Sequence, residues 1–255
     1  MSGYVGDPRG VAKKIDRLYV GDGAGTARAV QKAYVGDPRG VAKLWYQRAT
    51  PLGSLAVGSV VHFAVGGVRT PWIVVHQGLP GRMYDASCGG TWLLMKNIYV
   101  KRLYNTTDNS YDYSDRGMTS YLKKTFDGLI DGNVKSLVRT VKIPAHKNGN
   151  SYVSSGANGL SVNSFLLSFT EVGFKEGSVE VEGAKLDYFT DASSRAIGSV
   201  WWTRSPDPDS DDGVLVVNAK GGYTSYGPFS SQGVRPALIM SQDALVDGNG
   251  NVIGG

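Results

Sequence analysis

Apolar residues recur along this chain in short runs cut by glycine-rich turns, and a helical period is sustained in one stretch only. The first 48 residues carry a 15-residue unit three times: YVGDPRGVAKKIDRL from Tyr4, YVGDGAGTARAVQKA from Tyr19 and YVGDPRGVAKLWYQR from Tyr34. Each opens on Tyr-Val, which favours extended backbone, and passes through Gly-Asp into turn chemistry. In Asp7-Pro8 and Asp37-Pro38 the proline presets φ for a turn, which Gly10 and Gly40 close. The unit therefore predicts strand, tight turn, strand. A hairpin this small buries too little to stand alone, so the repeats pack on the main domain, on each other or on sister chains. A flexible duplicated leader is the plainer reading; a docking or oligomerisation arm over residues 1–48 is the one adopted.

The boundary falls at Ala49-Thr50-Pro51-Leu52-Gly53, and residues 49–255 form the main domain. Beyond it, segments 59–65, 71–76 and 91–96 are apolar-rich strand candidates. Helix signals begin at Ser114-Asp115, after which Met118, Leu122, Phe126 and Leu129 fall on one face at spacings of three or four. A second short helical turn is expected to hold Val134, Leu137 and Val138. Gly-rich turns separate the remaining strands. The fold class predicted is α+β with one core, not a parallel α/β arrangement.

Composition sharpens the picture. With 35 Gly, 14 Tyr and 5 Trp and only 19% charged residues, the chain favours many short strands over a helical bundle. The net charge is +5, but Lys and Arg are scattered and form no basic stripe with aromatics, so no nucleic-acid partner is expected. A lone cysteine, Cys88, excludes an internal disulfide framework. No apolar run approaches the ~20 residues of a membrane span, so no membrane insertion is expected. The N-terminus MSGYVGDPRG lacks an apolar export segment. Synthesis in a reducing cytosol is expected; for a chain that ends up outside the cell, assembly into a particle released by lysis would be the route.

Several phrases occur in an informative order. Tyr84-Asp85, then Gly90-Thr91-Trp92-Leu93-Leu94, looks like an early strand block. Tyr113-Ser114-Asp115-Arg116, leading into Ser120-Tyr121-Leu122 and Phe126, is similar to a Ser-x-x-Arg-x-Trp-Leu-Asn…Phe helix. Phe165-Leu166-Leu167-Ser168 and Thr170-Glu171-Val172 match a mid-domain segment, and Trp202-Thr203-Arg204-Ser205-Pro206 with Gly233-Val234-Arg235-Pro236-Ala237-Leu238 match a closing pair. Over roughly residues 51–242 these resemble the C-type-lectin-like domain of the formylglycine-generating-enzyme type. That family sits in bacterial and phage genomes and includes the variable proteins of diversity-generating retroelements. Gly117-Met118-Thr119 and Lys123-Lys124 depart from its pattern, both as local surface choices. The leader is similar to Tyr-Ile/Val-Gly-x-x-Gly-x-Ala-Lys repeats found ahead of receptor-binding modules in bacteriophage tail-like proteins.

The resemblance implies a C-type-lectin-like domain without catalysis, whose segment from about 201 to 238 varies between anchors. Trp202, Arg204, Arg235 and Pro236 are the expected anchors, with the strand at Val216-Val217 also apolar. Arg235 reads as a buried fork held by a carboxylate or by carbonyls. Core truncations cost ~2–5 kcal/mol and exposed loop changes about 0.5 kcal/mol, so a segment pinned at both ends varies freely in its middle. The candidate ligand-binding residues are Asp207, Asp209, Asp211, Asp212, Val214, Leu215, Lys220, Tyr223, Thr224, Tyr226, Phe229, Ser230 and Gln232. Their mixture of aromatic and small polar side chains is that of a paratope. A turn-rich linker between two strands would have a similar composition.

Other chemistry is weakly supported. Oxidase activity in the formylglycine-generating family depends on a copper-handling cysteine pair, and Cys88 is single; a small buried core thiol is the expectation. Asp207-x-Asp209-x-Asp211-Asp212-Gly213 resembles a calcium loop, but its glycine is one place late and Asn218 stands where a bidentate Glu belongs. A solvated acidic loop is expected, and Asp247-Gly-Asn-Gly-Asn reads as a plain turn near a frayed terminus. His62, His76 and His146 show no ligand spacing, and the first two are expected to be satisfied structural residues. Glu180 and Glu182, two apart, are expected to share a solvated strand face. No nucleophile elbow, phosphate loop or dinucleotide fingerprint occurs.

The expectation is a non-enzymatic receptor-binding protein of a phage tail or similar particle, with no cofactor and no metal. Its partners would be an unidentified host-surface protein or glycan and other virion tail proteins. A homo-oligomer is expected, a trimer being common among tail proteins. The alternative is a fixed structural or adhesin protein of a particle or bacterial surface.

Overall fold

The computed structural model describes residues 4–6, 12–14, 18–21, 27–30, 32–36 and 42–47 of the leader, and 49–106, 117–146, 152–175, 177, 179–210 and 213–253 beyond it. Each repeat is an antiparallel strand pair: Tyr4–Gly6 with Ala12–Lys14, Tyr19–Gly21 with Ala27–Ala29, and Lys32–Gly36 with Ala42–Gln47. The register repeats with the sequence. Tyr4 faces Lys14, Tyr19 faces Ala29 and Tyr34 faces Leu44. A slip of one residue would exchange the faces, so equal units give equal pairings. The turn residues Asp7-Pro8, Gly10, Asp37-Pro38 and Gly40 lie outside the described residues. Tyr19, Val20, Tyr34 and Val35 are exposed on these hairpins.

Ten strands build the body of the domain: β1 (Val60–Val65), β2 (Val68–Gly78), β3 (Gly90–Met95), β4 (Val100–Leu103), β5 (Ser164–Phe165), β6 (Trp201–Pro206), β7 (Val214–Val217), β8 (Tyr223–Tyr226), β9 (Ser231–Val234) and β10 (Ala237–Met240). They form two five-stranded sheets, ordered β5-β10-β3-β2-β1 and β4-β9-β6-β7-β8. Neighbours are antiparallel except β6 and β9, which run parallel where Trp201 faces Gly233. Sheet position explains the sequence of each strand. Central β3 and β6 are buried at every residue, so GTWLLM and WWTRSP carry no polar face to alternate with. Edge strand β1 alternates buried and partly open positions, as period-two pattern requires. One hydrophobic cluster takes side chains from both sheets. Trp92 meets Phe165 edge-on at 5.5 Å, and Trp72 stacks on Phe63 at 4.6 Å.

A three-stranded sheet joins Ala49–Pro51 to Leu245–Asp247 and Val252–Ile253, so the chain enters and leaves the domain side by side. Asp247 Oδ1 accepts from the N–H groups of Asn249 and Asn251, which makes the expected turn. The segment after it is not frayed: Val252 is buried, and Arg69 Nε donates to Asn251 Oδ1.

The α+β, C-type-lectin-like fold class expected from the sequence is corrected here. Strand accounts for 41% and helix for 15%, the latter in short pieces, so the protein is mostly β. The helical period is real, since Met118, Leu122 and Phe126 are all buried. Among the described residues it runs from Gly117 to Leu129, and its middle, Leu122–Phe126, is a π turn. The wider turn rotates the residues on its C-terminal side. Leu129, expected on the apolar face, is exposed, and Ile130 takes the buried place in a bridge to Val65. Gly128 weakens the end of the helix, at a cost of about 1 kcal/mol relative to Ala inside a helix. The expected start at Ser114-Asp115 lies outside the described residues. The second turn is Gly132–Lys135; it buries Val134 and leaves Leu137 and Val138 half-buried.

Candidate functional site

Strand β6 is the hub of the second sheet, pairing with β7 on one side and β9 on the other. Arg204, near its end, is fully buried and uses every nitrogen. Nη1 donates to Glu171 Oε2 at 2.6 Å and Nη2 to Glu171 Oε1 at 2.8 Å, a two-point fork. Nε donates to Glu182 Oε1 at 3.1 Å and to the Pro144 carbonyl at 3.0 Å, and Nη1 also reaches the Leu166 carbonyl at 2.8 Å. Glu171 further accepts from Tyr84 Oη at 2.8 Å and from the Ser168 N–H at 2.9 Å. Glu182 accepts from Ser205 Oγ and from the His146 N–H. Burial works against the charge on Arg204, but Glu171 and Glu182 outweigh it and hold the guanidinium above its ordinary range. Burial, and then Glu171, push the Tyr84 phenol well above its usual value. The cluster thus sets two carboxylates against one guanidinium and offsets the surplus with neutral donors.

This placement corrects the expectation for Glu180 and Glu182. They do not share a solvated strand face: Glu180 is exposed, and Glu182 is fully buried on irregular backbone. Gly183 explains the change of direction. Its φ is +106°, and a Cβ there would lie 2.2 Å from Tyr84 Oη. Only glycine lets the chain bring Glu182 beneath Arg204.

The closing motifs are joined in space. Gly233 N–H donates to the Val200 carbonyl at 3.1 Å, and a Cβ on Gly233 would fall 2.4 Å from Ile98 Cδ1. Trp202 is fully buried and its Nε1 donates to the Arg102 carbonyl at 3.0 Å. Pro236 is buried, and its carbonyl accepts from the Met95 N–H. Arg235 is held by carbonyls and packs over Trp201: Nε donates to Met95 O at 2.8 Å, and the guanidinium carbon lies 4.9 Å from the ring centre. Burial lowers its pKa to about 10.

The segment between these anchors runs through the loop after β6, the β7–β8 hairpin and the turn into β9. The structure divides the candidate ligand residues. Tyr223, Tyr226 and Phe229 are 42%, 38% and 50% exposed, and Asp209, Lys220 and Thr224 are exposed beside them. Asp207, Ser230 and Gln232 are half-buried. Asp211 and Asp212 lie outside the described residues. Val214 and Leu215 do not belong to the surface: β7 lies between β6 and β8 and is sealed on both faces. They are scaffold. The open side is β8, an edge strand with Tyr226 paired to Val214 and Thr224 to Val216. Tyr223 is braced edge-on against Phe169 at 5.0 Å and Phe174 at 5.1 Å, two residues that no sequence signal singled out.

Among the described residues, no three His, Cys, Asp or Glu side chains gather to hold a metal ion. Asp207 Oδ1 accepts from the Asp209 N–H at 3.1 Å, closing a local turn. Cys88 is buried, donates to the Lys142 carbonyl, and has its thiol pushed up to about 12, chiefly by burial. His76 Nδ1 lies 2.8 Å from Asp187 Oδ2. His62, expected to be satisfied, is half-buried and its Nδ1 has no hydrogen-bond partner among the described residues. His146 is buried with both ring nitrogens in the same state.

A family model described as a domain of unknown function (DUF6273) matches residues 89–242. The match covers more than half of the chain, from just before β3 to just past β10, and takes in Arg204 with Glu171 and Glu182, both closing motifs and β8, but not Tyr84. The leader, β1 and β2 fall outside it. No curated protein matches, and no solved structure does.

Proposed function

This chain belongs to the DUF6273 family, domains of unknown function, and from that premise we propose that it is a non-enzymatic receptor-binding protein of a phage tail or similar particle. It displays β8 and the turn into β9 to a host-surface protein or glycan. The observation that carries the reading is the contrast within one segment: Tyr223 and Tyr226 on edge strand β8 and Phe229 in the turn after it stand open, while β7, which β8 pairs with, and β6 beyond it are sealed. Exposed aromatic side chains give contact area at low entropy cost, and the small polar neighbours adapt. The leader hairpins, two of which expose the pairs Tyr19-Val20 and Tyr34-Val35, attach the domain to the particle or join copies of it. The resemblance of the closing motifs to retroelement variable proteins adds that this surface is diversified.

The test is deep sequencing of codons 199–240 across the source population, with the flanking DNA. Substitutions are expected at codons for Asp209, Lys220, Tyr223, Thr224, Tyr226 and Phe229, at positions of template adenines, with a near-identical repeat and a reverse transcriptase nearby. An invariant segment lacking that repeat removes diversification. The exposed edge also favours a fixed structural or adhesin role, because an open strand edge readily pairs with another chain. Alanine at Tyr226 and Phe229 separates the two. Loss of host adsorption by assembled particles supports receptor binding; failed assembly supports the structural role.

A further inference from the structure

A cleft of about 820 Å³ opens along β1, the outer edge of the first sheet, within the roughly 300–1,000 Å³ of small-molecule sites. Period two builds its floor. Val61, Phe63 and Val65 turn into the core, so His62 and Ala64 share the outer face, and Arg69 on β2 stands opposite Ala64. Two turns raise walls along the edge of β1. Asn251 bridges to His62, and the Asp131 N–H donates to the Ala64 carbonyl at 3.1 Å. The walls therefore start two residues apart, roughly 7 Å along the strand. Segments 62–64, 131–137 and 249–253 are described without a gap.

Two opposite charges line this cleft and do not pair with each other. Arg69 is drawn across β1: Nε donates to Asn251 Oδ1 at 2.9 Å and Nη2 to the Asn249 carbonyl at 3.3 Å, while Asn251 Nδ2 is fixed on Asp247 Oδ2 at 3.0 Å. Nη1 keeps no partner among the described residues. Asp131 Oδ1 accepts from the Asn133 N–H at 2.9 Å, which holds the carboxylate in place and leaves Oδ2 unused among the described residues. No ion pair joins Arg69 to Asp131 among the described residues. Lys96 and Lys135 are exposed nearby without lining the cleft, and Asp247 is occupied by its own turn. Burial, and then Arg69, lower the His62 pKa, so the imidazole on the floor is a neutral hydrogen-bonding group. Val134, Leu137 and Ile253 add apolar surface.

We propose that this cleft binds a free α-amino acid with an apolar side chain. Arg69 Nη1 donates to its carboxylate, Asp131 Oδ2 accepts from its ammonium, and Leu137 and Ile253 flank the side chain. An α-amino acid carries both charged groups on one carbon, and with a hydrogen bond of about 2.9 Å at each end it spans roughly 8 Å, close to the separation of the walls. A ligand with one charge satisfies one wall only. The site goes beyond the receptor-binding reading, because none of its lining residues lies within segment 201–238.

Calorimetric titration of the full chain with L-phenylalanine, 3-phenylpropanoate and 2-phenylethylamine tests this; the second probe lacks the ammonium and the third lacks the carboxylate. L-Phenylalanine is expected to bind with one-to-one stoichiometry and roughly fivefold tighter than either of the others. Arg69→Gln weakens it roughly fivefold and leaves phenylethylamine unchanged. Asp131→Asn, which keeps a capping side chain, weakens it roughly fivefold and does not weaken phenylpropanoate. Absent binding of phenylalanine, a single-charge probe that binds as tightly, or phenylalanine affinity unmoved by either substitution overturns the proposal. Equal affinity for phenylpropanoate reassigns the cleft to anions drawn by Arg69, Lys96 and Lys135. Tyr226→Ala and Phe229→Ala leave phenylalanine binding intact, so failure here and failure of the receptor-binding reading give different results.

Discussion

Arg204 gives the sharpest test of how the domain holds together. Arg204→Met removes the guanidinium that Glu171 and Glu182 both hold, and strands two carboxylates that are fully buried. Stranding one buried charge costs about 3–5 kcal/mol, so the upper end is expected. A domain of this kind is stable by only about 5–15 kcal/mol. With a urea slope near 2 kcal/mol per molar, the midpoint should fall by about 2 M. Glu171→Gln turns an amide donor toward a guanidinium donor and breaks the fork, for about 2–3 kcal/mol. Glu182→Gln should cost only about 1 kcal/mol. Its carbonyl still accepts from Arg204 and His146, its amide can donate to Ser205, and the surplus buried charge disappears. Urea melts of the full chain followed by tryptophan fluorescence report all three, since Trp201 and Trp202 share the strand. The expected order of loss is Arg204→Met, then Glu171→Gln, then Glu182→Gln. Equal losses for the two glutamine variants would refute the surplus-charge argument. A loss under about 1 kcal/mol for Arg204→Met would refute the clamp itself.

Three further outcomes are expected. Cys88, buried and with its thiol at about 12, is ionised in about one molecule in ten thousand at pH 8; it should react with Ellman's reagent only on unfolding, and native labelling within tenfold of a free cysteine peptide contradicts this. Burial raises the Asp127 carboxyl above its ordinary 3.8, more than the hydrogen bond from Ser164 lowers it. A raised carboxyl stabilises the fold while protonated, so its contribution is complete below pH 3.8 and is lost as pH rises through the raised value. Asp127→Asn removes that loss, and its stability relative to the parent should climb between about pH 3 and pH 7; a gap that shrinks with rising pH disproves the assignment. At Gly221, φ is +83° and a Cβ would sit 1.8 Å from the Ala192 carbonyl oxygen. Gly221→Ala should therefore cost more than about 1 kcal/mol by thermal melting, and an unchanged melt would show that the hairpin turn moves independently of residue 192.

What the sequence revealed depended on how local the cause was. β1 shows its edge position by alternation, and the leader hairpins keep one register because one unit is repeated. The helical face was legible from Met118 to Phe126, but the π turn leaves no mark in spacing, so Leu129 was placed one position wrong. Val214 and Leu215 fall among the ligand-binding candidates because recognisable anchors frame them, although VLVV is the continuous apolar run of a strand buried on both faces. Glu182 was lost differently. Period two presumes a strand, and Gly183 bends the chain out of that period. Its partner Arg204 is 22 residues away, and Arg204 in turn is 33 residues from Glu171, a pairing set by tertiary packing that no local pattern announces.

Segment 201–238 therefore holds two populations of residues with different physical constraints. Exposed positions accept exchange within about 0.5 kcal/mol, while truncations in the core cost ~2–5 kcal/mol. At 1.4 kcal/mol per factor of ten, the difference between them is one to several decades in folded population, roughly. Folding alone would thus concentrate variation at Tyr223, Tyr226 and Phe229 and spare Trp202, Arg204 and Gly233, with no binding function involved. The far edge supplies the control. Val60 and Val68 are 36% and 67% exposed on β1 and β2, so folding leaves them as free to change as Tyr226. Variation equal at both edges would express tolerance and nothing more. Variation concentrated on β8 and the turn after it, with Val60 and Val68 quiet, requires a cause beyond stability, and a displayed binding surface is the cause this geometry supports.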